Sequence, residues 1–218
     1  MTRKIVTCQE SRQEVVASGC HCGAAAQYEQ SLKLGLIVLS DTETVPGLHA
    51  WFESEAAMDR LCAFKERPRD QFIYLFPDLA SIETLADVSA VRLRGLERLL
   101  SSMRSPMTMV FPSHDEDETT TVAVRVVSHP FLRAVLRGAY PLASTSANKH
   151  GAAAPESLRD VSTQARDSAD VEVRTQLPSA GIPSAVVDFA VRPVTLRRPG
   201  ALNEGEFRAA LKAFEVVP

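Results

Sequence analysis

The sequence of 218 residues predicts one α/β domain, in which strands and helices alternate along the chain. Hydrophobic residues make up 45% of the chain, which is enough to build a core. Short apolar runs suit buried strands, and between them apolar residues recur at three- and four-residue spacing, as in helices that bury one face. No internal repeat interrupts this pattern, so a repeat architecture is excluded.

The predicted elements follow from periodicity and from the residues that end or begin them. Helices are predicted at residues 24–33, 53–67, 91–103, 130–137, 155–166 and from 203 to about 214, and strands at residues 36–39, 72–76, 107–111, 122–126, 184–189 and 194–197. Gly35 and Pro68 end the first two helices. Ser128 is a candidate N-cap for the fourth helix, and Asn203 with Glu206 resembles a capping box for the last.

Composition excludes several classes of function. The chain has 24 Lys and Arg against 27 Asp and Glu, so at most weak RNA binding is expected, because a broad nucleic-acid surface carries excess positive charge. No apolar run approaches the roughly 20 residues that cross a bilayer, and the N-terminus turns polar too early for a secretory signal. We therefore expect a cytoplasmic protein without a membrane partner.

Four cysteines are too few for a disulfide framework. The triplet Cys20-His21-Cys22 offers neighbouring metal ligands, but a structural zinc needs four ligands and no second pair follows at the usual spacing. The alternative to metal binding is chance clustering near a chain end, and no metal site is predicted. Residues 1–22 are assigned to an N-terminal extension and residues 23–218 to the α/β domain.

The segment DTETVPGLHA, at residues 41–50, directly follows a predicted strand. Small polar side chains such as Thr42 and Thr44, followed by Gly47, suit a polar ligand at the carboxyl end of a sheet. The alternative is a connecting loop in which both threonines satisfy backbone groups.

Lys65 and Arg67 lie at a predicted helix end, where Pro68 forces the backbone out of the helix. There the two cations can converge on phosphates, although cations at a helix C-terminus also complement its dipole. Ser146 and Asn148 share one side of an extended segment at residues 141–151, which could otherwise be a polar turn.

Two further polar positions come from strands. Arg125 alternates with Val122, Val124 and Val126, so it points away from their face, into solvent or a site. Ser184 begins one strand, and a cation pair at residues 197–198 ends another.

Six segments in order resemble motifs of the YrdC-like family of threonylcarbamoyl-AMP synthases, over residues 35–202. The segments are DTETVPGL, KERP, TVAVRVVSHP, STSANKHG, PSAVVD and LRRPGAL, and the family motifs they resemble are PTETVYGL, Lys-x-Arg-Pro, TVAVRVPxHP, PSANxSG, STVVD and LRPGAI. The resemblance implies a single domain with a twisted mixed sheet flanked by helices around a deep central cavity.

The resemblance also implies a nucleotidyltransferase reaction. It condenses L-threonine, bicarbonate and ATP, with Mg²⁺, to threonylcarbamoyl-adenylate and pyrophosphate, for the t6A modification at position 37 of tRNA. A separate tRNA threonylcarbamoyl transferase receives the product, so this chain need not bind RNA tightly.

Site residues carry over only where a motif matches. The catalytic candidates are Lys65 and Arg67; the ATP-binding candidates are Arg67, Gln71, Thr121, Ser146, Asn148 and Arg198; and the threonine-binding candidates are Thr44, Arg125 and Ser184. None of them is a predicted metal ligand.

The sequence departs from the family motifs mainly on the threonine side. Asp41 and Pro46 replace the Pro and Tyr of PTETVYGL, Phe76 replaces a His, and Ala185 replaces a Thr. The alternative function is therefore a YrdC-like paralogue that binds nucleotide or RNA, or uses another acceptor, without making threonylcarbamoyl-AMP. The charged stretch at residues 113–120 is a predicted loop and a candidate cover for the cavity.

Overall fold

The computed structural model describes residues 3–11, 13, 15, 23–88, 90–103, 105–114 and 120–215. In this part of the chain one mixed sheet has ten strands: β1 Lys4–Thr7, β2 Val38–Ser40, β3 Gly47–Trp51, β4 Ile73–Phe76, β5 Met107–Pro112, β6 Thr121–Val126, β7 Leu142–Ser146, β8 Val171–Arg174, β9 Ala185–Asp188 and β10 Thr195–Arg198. They lie in the order β1-β8-β2-β3-β7-β4-β6-β5-β9-β10. The predicted α/β class and mixed sheet are confirmed.

Parallel and antiparallel pairs alternate irregularly across this sheet. Strand β8 lies parallel to both β1 and β2, β4 is parallel to β6, and β5 is parallel to β9. The remaining neighbours are antiparallel. Strands β1 and β10 are the two edges of the sheet.

Helices pack on both faces of the sheet. Those of the described residues are α1 Ala24–Lys33, α2 Glu55–Lys65, α3 Ala90–Ser102, α4 Pro130–Val135, α5 Thr163–Asp167 and α6 Glu204–Glu215, with short 3-10 segments at Arg69–Gln71, Ala80–Thr84 and Leu158–Asp160. None of these helices has the length and apolar character needed to cross a membrane.

Two hydrophobic cores lie on opposite faces of the sheet. The larger core packs α2, α3 and α6 against one face, and Val122 and Val124 of β6 belong to it. The smaller core packs α1 and α4 against the other face, and Leu75 of β4 and Leu142 of β7 belong to it. Because side chains alternate along a strand, Ala123 and Arg125 lie on the second face, beyond the helices that cover part of it.

Local sequence explains where several helices end or begin. Gly35 follows α1 with φ 72°, a left-handed conformation that glycine adopts without steric cost. The α2 helix ends where Glu66 takes φ 53°, and Pro68 then leads into extended backbone. At the start of α6, the Asn203 Oδ1 accepts hydrogen bonds from the backbone N–H of Gly205 and Glu206, as the predicted cap requires.

Two helix predictions are wrong in detail. Ser128 is not the cap of α4; the N-cap is His129, whose Nδ1 accepts from the Leu132 N–H at 3.4 Å. The predicted helix at residues 155–166 is a 3-10 turn and α5, separated by Val161 in extended conformation. Ser157 and Asp160 form a capping box that stabilises the start of the 3-10 turn, and the extended conformation of Val161 ends that turn.

The sequence prediction missed four strands wholly or in part. Residues 47–51 form β3, although the segment at residues 41–50 was not predicted as a strand, and residues 142–146 form β7 within a segment predicted only as extended. Strand β8 was not predicted. Residues 4–7, assigned to an N-terminal extension, form β1 and pair with β8, so this part of the extension belongs to the sheet. The triplet Cys20-His21-Cys22 lies outside the described residues, as do residues 115–119 of the candidate cover.

Candidate active site

A cavity of about 270 Å³ lies on the sheet face that carries Ala123 and Arg125. Strand register explains how residues distant in sequence meet there. Ile73 of β4 pairs with Ser144 on one side and with Ala123 on the other, so these three line one row across the sheet. The site residues predicted from sequence that line the cavity are Thr44, Arg67, Gln71, Arg125, Ser146, Ser184 and Arg198.

Arg125 is buried in the cavity wall. Its Nη1 donates to the Thr44 Oγ1 at 3.3 Å, and its Nε lies 2.9 Å from the Oε1 of Glu43. Thr42 orients Thr44, because the Thr42 Oγ1 accepts from the Thr44 N–H at 3.0 Å and donates to the Val45 carbonyl at 2.9 Å. The two threonine hydroxyls are 2.8 Å apart, so with Thr42 donating to a carbonyl, Thr44 donates to Thr42.

Thr44 therefore presents only an acceptor to a ligand. Its single hydroxyl proton is directed at Thr42, whereas its lone pairs face the Arg125 guanidinium and the cavity. A ligand hydroxyl or ammonium can donate to this oxygen, and a ligand carboxylate can accept from the remaining N–H groups of Arg125.

Gly47 is needed nearby because a Cβ there would lie 2.8 Å from the His49 Cε1.

Arg198, another lining residue, is held by Ser184. Its Nε donates to the Ser184 carbonyl at 2.9 Å and its Nη2 to the Ser184 Oγ at 3.3 Å. Thr108 lies 2.8 Å from the same hydroxyl. Burial, and then the positive charge of Arg125, lower the pKa of Arg198. Gly200 allows this approach, because a Cβ on it would lie 2.5 Å from the Ala185 nitrogen.

Arg67 is oriented by a hydroxyl and an aromatic ring. Its Nη2 donates to the Thr145 Oγ1 at 2.8 Å, and its Cζ lies 4.7 Å from the Phe72 ring centroid. The buried Nε has no hydrogen-bond partner among the described residues. Burial lowers the pKa of Arg67. Because a buried donor without a partner is costly, this nitrogen suits a ligand acceptor.

Lys65 does not line the cavity in the described structure. Its buried ammonium donates to the carbonyl oxygens of Ser146 at 3.1 Å and of Asn148 at 2.6 Å, and to the Asn148 Oδ1 at 3.1 Å. Burial, and then the charge of Arg67, lower the pKa of Lys65 to about 8. Its three protons are therefore committed to the segment that follows β7.

Asn148 and Thr121 also lie outside the cavity lining. The Asn148 Nδ2 donates to the Ala152 carbonyl at 2.6 Å, so its amide holds the same segment as Lys65. Thr121 is exposed at the start of β6 and, two residues before Ala123, lies on the cavity's face of the sheet.

Several lining or supporting residues were not predicted as site residues. Glu43 contacts Arg125, and Thr108 contacts Ser184, in both cases from a distant position in the sequence. Thr145 accepts a hydrogen bond from Arg67. Glu43 and Thr42 belong to the DTETV segment, whose composition was the available signal. Thr42 also satisfies backbone groups, as the alternative interpretation of this segment expected.

The four departures on the threonine side lie outside the described lining of the cavity, whereas Gln71, which stands where the family usually has Asn, belongs to the lining. Asp41, Pro46, Phe76 and Ala185 are all absent from its described lining. The Asp41 Oδ1 instead accepts from the Ser179 N–H at 3.1 Å and from its hydroxyl at 2.7 Å. Phe76 and Ala185 belong to the larger core. These substitutions therefore change the support of the site more than the groups that a ligand meets.

The cavity lining is cationic and does not form a Mg²⁺ site by itself. It includes three arginines and, among the described residues, no carboxylate. Mg²⁺ bound by a protein usually has one or two carboxylate ligands. Within the described residues no group of three His, Cys, Asp or Glu side chains could hold a metal ion. The lining suits an anionic ligand together with neutral hydrogen-bonding groups.

The fold and this cavity define an α/β protein with a cation-lined cavity on one face of a mixed sheet. The profile of the Sua5, YciO and YrdC family, described as telomere recombination, matches residues 30–200. The chain therefore belongs to this family.

Known relatives agree with that membership. The chain is 29% identical over 170 residues to the threonylcarbamoyl-AMP synthase of Vibrio vulnificus strain YJ016, covering 74% of this chain and 91% of the relative. It superposes on the crystal structure of P. abyssi Sua5 complexed with L-threonine with a TM-score of 0.78 at 26% identity, covering 95% of this chain and 60% of the other. The structure of E. coli YciO matches with a TM-score of 0.74 at 19% identity, covering 94% and 98%, and shows the shared fold.

Proposed function

We propose that this protein is a threonylcarbamoyl-AMP synthase, a nucleotidyltransferase that condenses L-threonine, bicarbonate and ATP. The observation that carries the proposal is the placement of Arg125, bonded to Thr44, in one cavity with Arg67 and Arg198. The hydrogen-bonded pair of Arg125 and Thr44 suits an amino acid, and the two further arginines suit phosphates. Relatives named threonylcarbamoyl-AMP synthase, and a Sua5 structure that holds L-threonine, support this assignment.

The roles of the side chains follow from their contacts. Arg125 would bind the threonine carboxylate, Thr44 would accept from its hydroxyl or amine, and Ser184 would complete that side. For the nucleotide, Arg67 and Arg198 would bind phosphate oxygens.

The remaining candidates act around the nucleotide. Gln71 and Ser146 line the same cavity, and Thr121 lies on its face of the sheet. Lys65 and Asn148 would act by fixing the backbone next to Ser146.

The reaction needs no side-chain nucleophile. The deprotonated threonine amine attacks the carbon of bicarbonate with loss of water, or attacks carbon dioxide formed from bicarbonate with loss of one amine proton to solvent, and either route gives a carbamate. A carbamate oxygen then attacks the α-phosphorus of ATP, the bond from that phosphorus to the bridging oxygen breaks, and pyrophosphate leaves. The arginines stabilise the developing negative charge, and the common cavity aligns the reactants. Mg²⁺ would have to arrive with the nucleotide, because the lining supplies no carboxylate for it.

We place this activity in the t6A modification of tRNA. The product would pass to a separate tRNA threonylcarbamoyl transferase in the cytoplasm. The net charge of −3 supports at most weak RNA binding by this chain.

The test is turnover with purified full-length protein. ATP, Mg²⁺, labelled bicarbonate and L-threonine should give pyrophosphate and a labelled adenylate, and both should require threonine. Nucleotide binding without threonine-dependent turnover would overturn the proposal and favour the paralogue that binds nucleotide or uses another acceptor. A panel of other amino acids, assayed in parallel, identifies such an acceptor.

A further inference from the structure

The Glu43–Arg125 pair is an unexplained feature next to the cavity, because Arg125 lines the cavity and Glu43 contacts Arg125 from outside its described lining. The two side chains are 9% and 5% exposed, and the Arg125 Nε lies 2.9 Å from the Glu43 Oε1. Neither carboxylate oxygen of Glu43 has a hydrogen-bond partner among the described residues. A buried carboxylate in this state is costly unless its charge is used, so the pair calls for a reason beyond packing.

The other two arginines of the cavity differ from Arg125. Within the described chain, Arg67 and Arg198 form no ion pair, and their contacts are hydroxyls, a carbonyl and the Phe72 ring. The cavity therefore has two electrostatic environments. Around Arg67 and Arg198 positive charge is uncompensated, whereas Arg125 and Glu43 together carry no net charge.

We propose that Glu43 is a specificity-determining residue that makes the subsite at Arg125 selective for a zwitterion over a plain anion. Under the proposed function, on which this inference rests, the zwitterion is the amino-acid substrate and the competing anions are carboxylates and phosphates. Glu43 attracts the ligand ammonium and weakens the pull of Arg125 on any anion. Phosphate groups are thereby directed to Arg67 and Arg198.

Charge removal affects the two ligand classes differently. For a zwitterion, losing the Glu43 charge strengthens the hold on the carboxylate and weakens the hold on the ammonium, so the two effects largely cancel. An anion without an ammonium experiences only the stronger attraction of its carboxylate to Arg125, so its affinity should rise. At separations of several ångströms in a partly buried site, one unit charge changes affinity by about tenfold or more.

The experiment compares L-threonine with 3-hydroxybutanoate, which keeps the hydroxyl and carboxylate but lacks the amine. Calorimetric titration of the full-length protein gives Kd for each. In Glu43→Gln the ratio of Kd for 3-hydroxybutanoate to Kd for threonine should fall about tenfold. Glu43→Asp, which keeps the charge, should keep most of the preference. The control, Glu53→Gln, removes an exposed carboxylate outside the cavity and should leave the ratio unchanged.

Other outcomes overturn the inference. If Glu43→Gln leaves the ratio of the two Kd values unchanged, Glu43 does not select between the ligands, and an equal loss of both affinities would show that its role is structural only. Should Glu43→Gln fail to fold, the wild-type protein still decides, because equal affinity for both ligands contradicts selectivity. If the wild type shows threonine-dependent turnover but Glu43→Gln leaves the ratio of the two Kd values unchanged, only this inference is overturned. If the wild type does not bind threonine, the proposed function is overturned too.

Discussion

At the scale of single residues, some cationic side chains line the cavity and another binds backbone carbonyl groups. Arg67, Arg125 and Arg198 line the cavity, but Lys65 directs its ammonium at the segment after β7. A guanidinium has five N–H donors, so each of these arginines retains donors for a ligand, whereas an ammonium with three acceptors has none left. Substitutions of these residues should therefore have different signatures.

Replacing Arg67 by Ala should weaken ATP binding by about tenfold or more, because a charge-assisted hydrogen bond is lost while the fold keeps its core. L-threonine affinity should change little, since Arg125 and Thr44 remain. Arg67→Lys should not restore ATP binding fully, because an ammonium cannot make the same fork of bonds. Titration with each ligand measures this, and equal losses for both ligands would contradict the assignment of Arg67 to the nucleotide side.

Lys65 should make stability depend on pH in an identifiable window. Burial lowers its pKa in the folded protein to about 8 from an ordinary value of 10.5. Between these values the unfolded chain binds more protons, so this residue makes the free energy of unfolding rise with pH. Below the window the lysine is charged in both states, and its contribution is constant.

The variant Lys65→Met removes this titration. The free energy of unfolding of the wild type minus that of Lys65→Met should therefore increase from about pH 7.5 to about pH 9.5. Urea unfolding of both proteins at the two pH values gives the difference. A difference that is constant or falls would show that the three carbonyl contacts keep Lys65 charged in the folded state throughout.

At the scale of elements, strand register creates the site. Ala123 and Ala143 are small residues on neighbouring parts of the sheet, but Ala123 lines the cavity and Ala143 is fully buried in the larger core. The two faces of the sheet should respond differently to the same added volume.

Ala123→Leu should fill part of the cavity and reduce ATP or threonine binding strongly, with little loss of stability, because the added atoms enter open space. Ala143→Leu is the matched control and should destabilise the fold by about 1–3 kcal/mol through overpacking. Ligand titration and urea unfolding of both variants check this. The register would be contradicted if Ala123→Leu unfolded the protein and Ala143→Leu did not.

Elements with local signals could be predicted from the sequence. The α1, α2 and α6 helices show apolar periodicity or end signals, whereas GLHAW of β3 has no clear alternation and looks like the continuation of a polar loop. Strand β8 was missed because Glu172 stands at a buried position, and its arginine partners are not visible in a local window.

The site was predicted only in part, because contacts between residues that are distant in sequence are not visible in a local window. Motif resemblance indicated Thr44, Arg67, Arg125 and Arg198, which the fold brings to one cavity. The Glu43–Arg125 pair joins positions 82 residues apart, as 125 − 43 gives, and nothing in the sequence indicates it. Similarly, sequence spacing could not reveal that Lys65 points at the backbone after β7.

At the scale of the whole molecule, one ion cluster joins the edge strand β1 to the rest of the fold. The Glu172 carboxylate of β8 is 1% exposed and contacts Arg3 before β1, Arg166 of α5 and Arg174 at the end of β8. The nearest contacts, from Arg166 and Arg174, are both 2.7 Å. Because β8 lies between β1 and β2, this cluster stabilises the edge of the sheet farthest from β10.

Glu172 should therefore contribute stability that is lost in acid. Burial alone would raise the pKa of Glu172, but the hydrogen bonds and charges of Arg174 and Arg166 outweigh it and hold the pKa below its ordinary value of 4.5. A carboxyl whose pKa is lowered by folding stabilises the protein above its unfolded pKa, and this contribution disappears as pH falls through the folded pKa. The loss is confined to pH values below about 4.5.

Glu172→Gln should lower the free energy of unfolding near neutral pH by about 2 kcal/mol, because the Arg166 and Arg174 guanidinium groups, which are only partly buried or exposed, lose their anionic hydrogen-bond acceptor. Glu204→Gln removes a carboxylate from an exposed pair with Arg208 and should cost about 0.5 kcal/mol or less. Urea unfolding at about pH 7 and about pH 3.5 should show the wild-type advantage over Glu172→Gln shrinking in acid, while the Glu204→Gln difference stays small. An advantage that persists unchanged at the lower pH would mean that Glu172 acts through its shape and hydrogen bonds, since its charge would then contribute nothing to holding β1 in the sheet.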